Sequence, residues 1–182
     1  DIRGGLEKTR IDLEQNTIGT YNILEAMRLN KIKNLTFASS AAVYGEPSKF
    51  PTPENNPLLQ TSLYGASKSA GETLTEAFCE AFGLRSWIFR FVSVMGERYP
   101  HGVVFDFVKK LLQNPKKLEI LGNGKQKKSY IYISDLVNGI FTALEKGKEK
   151  INIFNLGNSE YCDVKSVAQY VINEMKLNPE YL

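Results

Sequence analysis

The chain has 182 residues, 42% of them hydrophobic and 24% charged, a composition that suits a folded globular protein and excludes a disordered or low-complexity one. Its 23 basic and 20 acidic residues leave a net charge of +3, too small to argue for a nucleic-acid partner. Two distant cysteines, Cys79 and Cys162, and a single histidine, His101, give no basis for a disulfide framework, a metal site or a histidine-based triad.

Hydrophobic periodicity alternates between helix and strand, the pattern of a parallel α/β sheet. The first helix is predicted from about Leu13 to Asn30, with Ile18, Tyr21, Leu24 and Met27 on one side and Ile23 and Ala26 on a second. A short buried strand comes next at Asn34–Ala38 and ends in Ser39 and Ser40. Pro47, Pro51, Pro53 and Pro57 then break a long polar loop. The second long helix covers about Leu63 to Phe82, with Leu74, Ala77, Phe78, Ala81 and Phe82 on its apolar side. Ser67, Gly71 and Thr75 form a stripe of small residues on it, at a spacing that lets another element come close. Gly83 reads as its C-cap and Arg85–Phe89 as the next buried strand.

After Gly96 the pattern predicts a helix near Val103 to Leu112 and a strand around Leu118 to Leu121. A hairpin-like turn at Gly122-Asn123-Gly124 leads into an alternating strand, Tyr130–Ile133. Ser134 is the predicted N-cap of a helix from Asp135 to Glu145. A strand at Ile151–Phe154 and a helix at Val164–Met175 complete the pattern. No apolar run approaches the roughly 20 residues of a membrane helix and no signal peptide opens the chain, so a cytoplasmic protein is expected. No G-x-G-x-x-G loop comes after any strand, and Gly4-Gly5 has no strand before it.

Tyr64 and Lys68 stand four apart on a helix, about 40° from each other around its axis, and so share a face. A lysine ammonium beside a phenol favours the phenolate. A phenol tuned in that way can take a proton from a sugar or alcohol hydroxyl as hydride leaves the carbon. The spacing alone is weak, because Tyr161 and Lys165 repeat it across a loop and a helix cap. Context strengthens the first pair: a strand ends in Ser39-Ser40, the chain loops, and Tyr64 opens the next helix. Parallel α/β sheets hold their sites at the carboxyl ends of strands, where Ser40 can approach Tyr64 and hydrogen-bond at a reacting oxygen. The bland alternative is that both serines only satisfy backbone groups at a strand end.

Ser-Ser-Ala-Ala-Val-Tyr-Gly at 39–45 and Tyr-Gly-Ala-Ser-Lys at 64–68 resemble the extended short-chain dehydrogenase/reductase family. Asn16–Thr20 and Tyr130–Asp135 match its other motifs in the same order, over essentially the whole chain. Within the family the chain is most similar to the NAD-dependent nucleotide-sugar epimerases, above all the UDP-glucose 4-epimerases. The resemblance implies a Rossmann-like parallel sheet, with 1–91 as the second half of an NAD-binding domain. It implies that 92–182 is mostly a smaller α/β domain for a UDP-sugar. A first βαβαβ half with the glycine-rich loop, on the order of 80 residues, is expected before Asp1, and more chain after Leu182.

The same resemblance implies roles. Tyr64 takes the proton of the sugar 4-hydroxyl as hydride passes to NAD; the keto sugar turns and takes the hydride back on its other face. Lys68 holds the nicotinamide ribose and tunes Tyr64, and Ser40 bridges to the sugar oxygen. Gln15, Asn16, Ser39 and Val92 are implied cofactor contacts. Ser93, His101, Gly102, Val103, Leu121 and Lys128 are implied substrate contacts. Ser93 stands where many members carry Asn, and Lys128 where Arg is frequent, giving a point charge instead of a bidentate fork. His101 also reads as an ordinary loop residue, and Lys128 as part of a solvated basic face. Ala41 and Ala42 replace the Asp-Glu of the family's 4,6-dehydratases, which favours epimerisation. A homodimer through the helices at 13–30 and 63–82 is the implied assembly, with neither nucleic acid nor membrane as partner. The alternatives are another short-chain sugar or steroid oxidoreductase, and a non-catalytic binding module of the same fold.

Overall fold

A computed structural model of the chain describes residues 7–181, so the Gly4-Gly5 pair lies outside the described residues. A long first helix, α1, joins Thr9–Asp12, a π-helical stretch Leu13–Ile18 and Gly19–Leu29. Then come β1 (Asn34–Ser40), a 3₁₀ turn (Ala41–Tyr44), α2 (Leu63–Phe82), β2 (Arg85–Phe91) and β3 (Ser93–Met95). α3 (Val103–Gln113), β4 (Lys117–Leu118), β5 (Lys127–Lys128) and β6 (Tyr130–Tyr132) are next. α4 (Ile133–Lys146), β7 (Ile151–Leu156), β8 (Cys162–Asp163), α5 (Val164–Glu174) and β9 (Glu180–Tyr181) complete the order. These elements make two compact units. One holds the residues up to Val92 together with Leu136–Leu156; the other holds Ser93–Asp135 and the chain from Gly157 onward.

In the first unit β1, β2 and β7 form a parallel sheet in the order β1-β2-β7, with Ala38 beside Phe89 and Ser40 beside Phe91. β2 is central and buried on both faces, which is why it reads as a nearly continuous apolar run. On one face Leu24, Met27, Phe78, Cys79 and Leu84 form the core with α1 and α2; on the other Trp87 and Phe89 pack with Ala143 of α4. Ile88 and Phe89 are fully buried, and each contributes about 1.5–3 kcal/mol by leaving water.

The small-residue stripe of α2 is where its neighbours dock. Ser67, Gly71 and Thr75 are buried, and a Cβ on Gly71 would stand 2.7 Å from the Phe37 ring and 3.4 Å from the Thr20 hydroxyl oxygen. Ser62 caps the helix start by accepting from the Gly65 N–H, and Gly83 ends it in the left-handed conformation at φ 66°. α1 begins earlier than the periodicity predicts. Its π-helical stretch advances the backbone by an extra residue and shifts the phase of the turns after it. Three-residue steps drift about 60° around a helix, so Ile18 and Tyr21, expected on the inner side, turn away from it and are 44% and 46% exposed, while Leu24 and Met27 stay inside.

The second unit is built on Phe107 and Leu111 of α3, Leu118 of β4, and Val167, Ala168, Val171 and Ile172 of α5. β3 pairs with β6 and β4 with β9, both parallel, while β5 pairs antiparallel with β8. The expected hairpin about Gly122-Asn123-Gly124 does not form. Both glycines turn the chain at positive φ, but the segments on either side find parallel partners elsewhere. Ser134 is not a cap either: α4 already starts at Ile133, which also shortens β6, and the Ser134 hydroxyl lies 3.4 Å from the Asp135 carboxylate. α4 from Leu136 and β7 group with the sheet, so 92–182 divides between the two units. Among the described residues no helix is long and apolar enough to cross a membrane, and no cluster of His, Cys, Asp and Glu could hold a metal.

Candidate active site

The carboxyl end of β1 gathers three pieces of chain. Ser40 is the last residue of the strand, still extended at φ −147°, and its Oγ accepts from the Ala42 N–H at 3.2 Å, capping the 3₁₀ turn. The first turn of α2 sits directly on that turn, because a Cβ at Gly65 would lie 2.6 Å from the Ala42 carbonyl oxygen. Only glycine allows so close an approach of two backbones. Tyr64, half-buried, is thereby set beside the turn that Ser40 caps.

Lys68 closes the group. Its Nζ donates to the Ala38 carbonyl at 3.0 Å and lies 5.9 Å from the Tyr64 ring centroid, so the four-residue spacing does place both side chains on one face. A second ring, Phe37, stands 5.6 Å from the same ammonium. Burial holds Lys68 below the ordinary lysine value, and the negative charge of Asp12 on α1 opposes that shift. α1 is tied to the same stretch of α2: the Asn16 amide donates to Ser67 Oγ at 2.9 Å, and Ser67 Oγ donates to the Tyr64 carbonyl at 2.8 Å. Asn16 belongs to the π-helical stretch, a form that recurs at functional sites. Gln15 beside it is exposed.

Ser39 points away from Ser40, as alternation along a strand requires. Its buried hydroxyl donates to the Glu72 carboxylate, which in turn pairs with Arg90 of β2 at 2.7 Å. Arg90 Nη1 donates to the Tyr44 hydroxyl at 2.7 Å and to the Glu54 carbonyl at 2.8 Å. The Tyr44 hydroxyl donates to Asn155 Oδ1 at 2.7 Å. No sequence motif announces this buried network, although Glu72 continues the Tyr64, Lys68 stripe by one more four-residue step. Val92, just past the end of β2, is half-buried and its N–H donates to the Leu156 carbonyl at 3.3 Å.

The remaining candidates lie in the second unit. Ser93, Gly102, Val103 and Lys128 line one hollow together with Tyr99 and Tyr130. His101 stands edge-on to the Tyr99 ring at 4.4 Å. Gly102, at φ 88°, would drive a Cβ to 2.9 Å from that same ring. Leu121 is 61% exposed and does not line the hollow. Tyr130, read from the sequence only as a strand residue, buries its hydroxyl without a hydrogen-bond partner, and burial pushes its phenol up.

The sequence pattern of the NAD dependent epimerase/dehydratase family matches residues 4–157. A UDP-glucose 4-epimerase of Corynebacterium glutamicum is 31% identical over 90% of this chain and 54% of its own length. A dTDP-D-glucose 4,6-dehydratase of Homo sapiens is 30% identical over 88% of this chain and 46% of its own. Among solved structures, the Thermus thermophilus UDP-glucose 4-epimerase in complex with NAD superposes with a TM-score of 0.87 at 30% identity, covering 100% of this chain and 61% of that one. The chain thus spans about half the length of the curated relatives it matches.

Proposed function

The chain belongs to the NAD dependent epimerase/dehydratase family, and from that premise we propose that the protein epimerises a nucleotide sugar at C4 through a transient ketone, with Tyr64 carrying the proton. The carrying observation is the convergence on one strand end of Tyr64, the ammonium of Lys68 clamped to Ala38, and the turn capped by Ser40.

The chain's own residues fit the nicotinamide end of NAD. An ammonium has three donors, and Lys68 commits one of them to Ala38, which leaves two for a pair of ribose hydroxyls. When bound, NAD supplies a two-electron acceptor that can return what it takes. Tyr64 accepts the proton of the sugar 4-hydroxyl as hydride leaves C4, and gives it back when hydride returns to the other face of the ketone. Protons and electrons balance over the cycle. Ser40 Oγ accepts from Ala42, so its own O–H is left to donate to the sugar oxygen whose proton Tyr64 carries. General acid–base catalysis of this kind contributes about 10²–10⁴-fold.

Epimerisation is favoured over dehydration by Ala41 and Ala42. Removing water from a keto sugar needs a base for a C–H proton and an acid for the departing hydroxyl, and the two residues of the turn after Ser40 carry only methyl groups. UDP-glucose and UDP-galactose are the substrates this reading names, supported by the names of the relatives. The apolar side chains that α1 and α2 leave in solvent, Ile23 and Phe82 among them, support a homodimer through those helices.

The test is to give the full-length protein UDP-galactose deuterated at C4. The expected result is UDP-glucose with the label kept at C4 and no net NADH. Net NADH would make the protein a dehydrogenase, and a 4-keto-6-deoxy product would make it a dehydratase.

A further inference from the structure

We propose that Arg90 is a positioning residue for this reaction: it latches the loop 46–62 to the ends of the strands and so fixes Ser40 against Tyr64. The inference rests on the function proposed above, but its foundation is a different set of contacts. Ser40 and Tyr64 flank the loop, and the segment between them has no regular structure beyond the Ala41–Tyr44 turn. Drawing the two ends of such a segment together has an entropic cost that contacts along it must offset.

Arg90 supplies those contacts from one planar group. It sits on the central strand, 3% exposed. Its Nε and Nη2 donate to the Glu72 carboxylate at 3.0 and 2.7 Å, and its Nη1 to the Tyr44 hydroxyl and the Glu54 carbonyl. Each partner leads to the reaction. Glu72 is on α2 in line with Tyr64 and Lys68, and also accepts from Ser39, the neighbour of Ser40. Tyr44 ends the turn that Ser40 caps. Glu54 is in the loop itself, where Asn155 of β7 adds a bond to the Thr52 carbonyl at 2.8 Å and one from its N–H to the Glu54 carboxylate at 2.9 Å.

A buried ion pair of this sort is weak as a source of stability, since apolar residues of the same volume do as well or better. Its distinctive product is geometry, because the guanidinium fork dictates where each acceptor must lie. Lysine carries the same charge but has no fork.

The experiment uses the full-length, NAD-loaded protein and Arg90→Lys. Positioning predicts a kcat lower by about 10- to 100-fold, the penalty of a displacement near 1 Å. KM and bound NAD should stay near wild type, with faster amide hydrogen exchange confined to 46–62. In a Ser40→Ala background the same substitution should have much less effect, because part of its action passes through Ser40. Equal losses in both backgrounds, or an unchanged kcat with a lower Tm, overturns the proposal. Should Arg90→Lys fail to fold, Tyr44→Phe removes only the hydroxyl joining Arg90 to Asn155; a lower kcat supports the latch and an unchanged one overturns it. A wild type that turns over no nucleotide sugar defeats the proposed function instead, and hydrogen exchange of 46–62 then decides the latch alone.

Discussion

A methyl group on Gly65 would stand 2.6 Å from the carbonyl oxygen of Ala42, so the first turn of α2 and the turn after Ser40 are in backbone contact. Gly65→Ala must push them apart. The expected outcome is a kcat about 100-fold lower, with a stability loss of about 1–3 kcal/mol. Kinetics and thermal unfolding on the same preparation check it, and near-normal turnover would mean that the close approach is dispensable.

Tyr64→Phe removes the hydroxyl proposed to carry the proton while keeping the ring beside Lys68. Turnover should fall by about 10²–10⁴ with bound NAD retained. Tyr161→Phe, at the same four-residue spacing from a lysine but outside the site, should leave turnover unchanged. A measured kcat for the two variants separates the pairs.

Asp12→Asn should narrow the alkaline side of the pH–rate profile. Burial lowers the Lys68 value and the Asp12 charge raises it, so removing that charge lowers it further. If turnover needs the lysine protonated, kcat will begin to fall at a lower pH than in wild type. An alkaline limb that stays in place would exclude Lys68 as the group responsible.

Glu76 offers a stability test remote from the reaction. Its value is raised above its ordinary 4.5, first by burial and then by the charge of Glu72, with Arg90 opposing. A raised carboxylate binds its proton more tightly folded than unfolded. Its contribution is therefore fully favourable below the ordinary value and is lost as pH rises through the raised one. Glu76→Gln should raise Tm at pH about 7 and give little gain near pH about 4, which melting curves at the two pH values will show.

Much of the frame is legible in the sequence because local chemistry decides it. Leu63–Phe82 ends at Gly83, a glycine readable as a C-cap that does turn left-handed. The stripe of Ser67, Gly71 and Thr75 announces a close neighbour, and the Tyr64–Lys68 spacing a shared face. The features that escape depend on partners far along the chain. The π-helical stretch of α1, which carries Asn16, leaves no mark on composition. Periodicity ends β2 at Phe89 because Arg90 breaks an apolar run; the strand continues because Glu72 and Tyr44, from other elements, satisfy the buried charge. The hairpin fails for a similar reason, as β3 and β9 supply pairings that no local turn signal could reveal.

At its middle the loop 46–62 is held by oxygens that every amino acid carries. Arg90 and Asn155 grip the carbonyls of Glu54 and Thr52, while the side chains of Glu54, Gln60 and Ser62 bond the Asn155 N–H, the Val43 carbonyl and the Gly65 N–H. The two carbonyl grips do not depend on which residues stand at 52 and 54. That makes the middle of the loop a natural place for sequence divergence between otherwise similar enzymes, and a practical site for grafting foreign segments while the strands and helices beneath remain untouched.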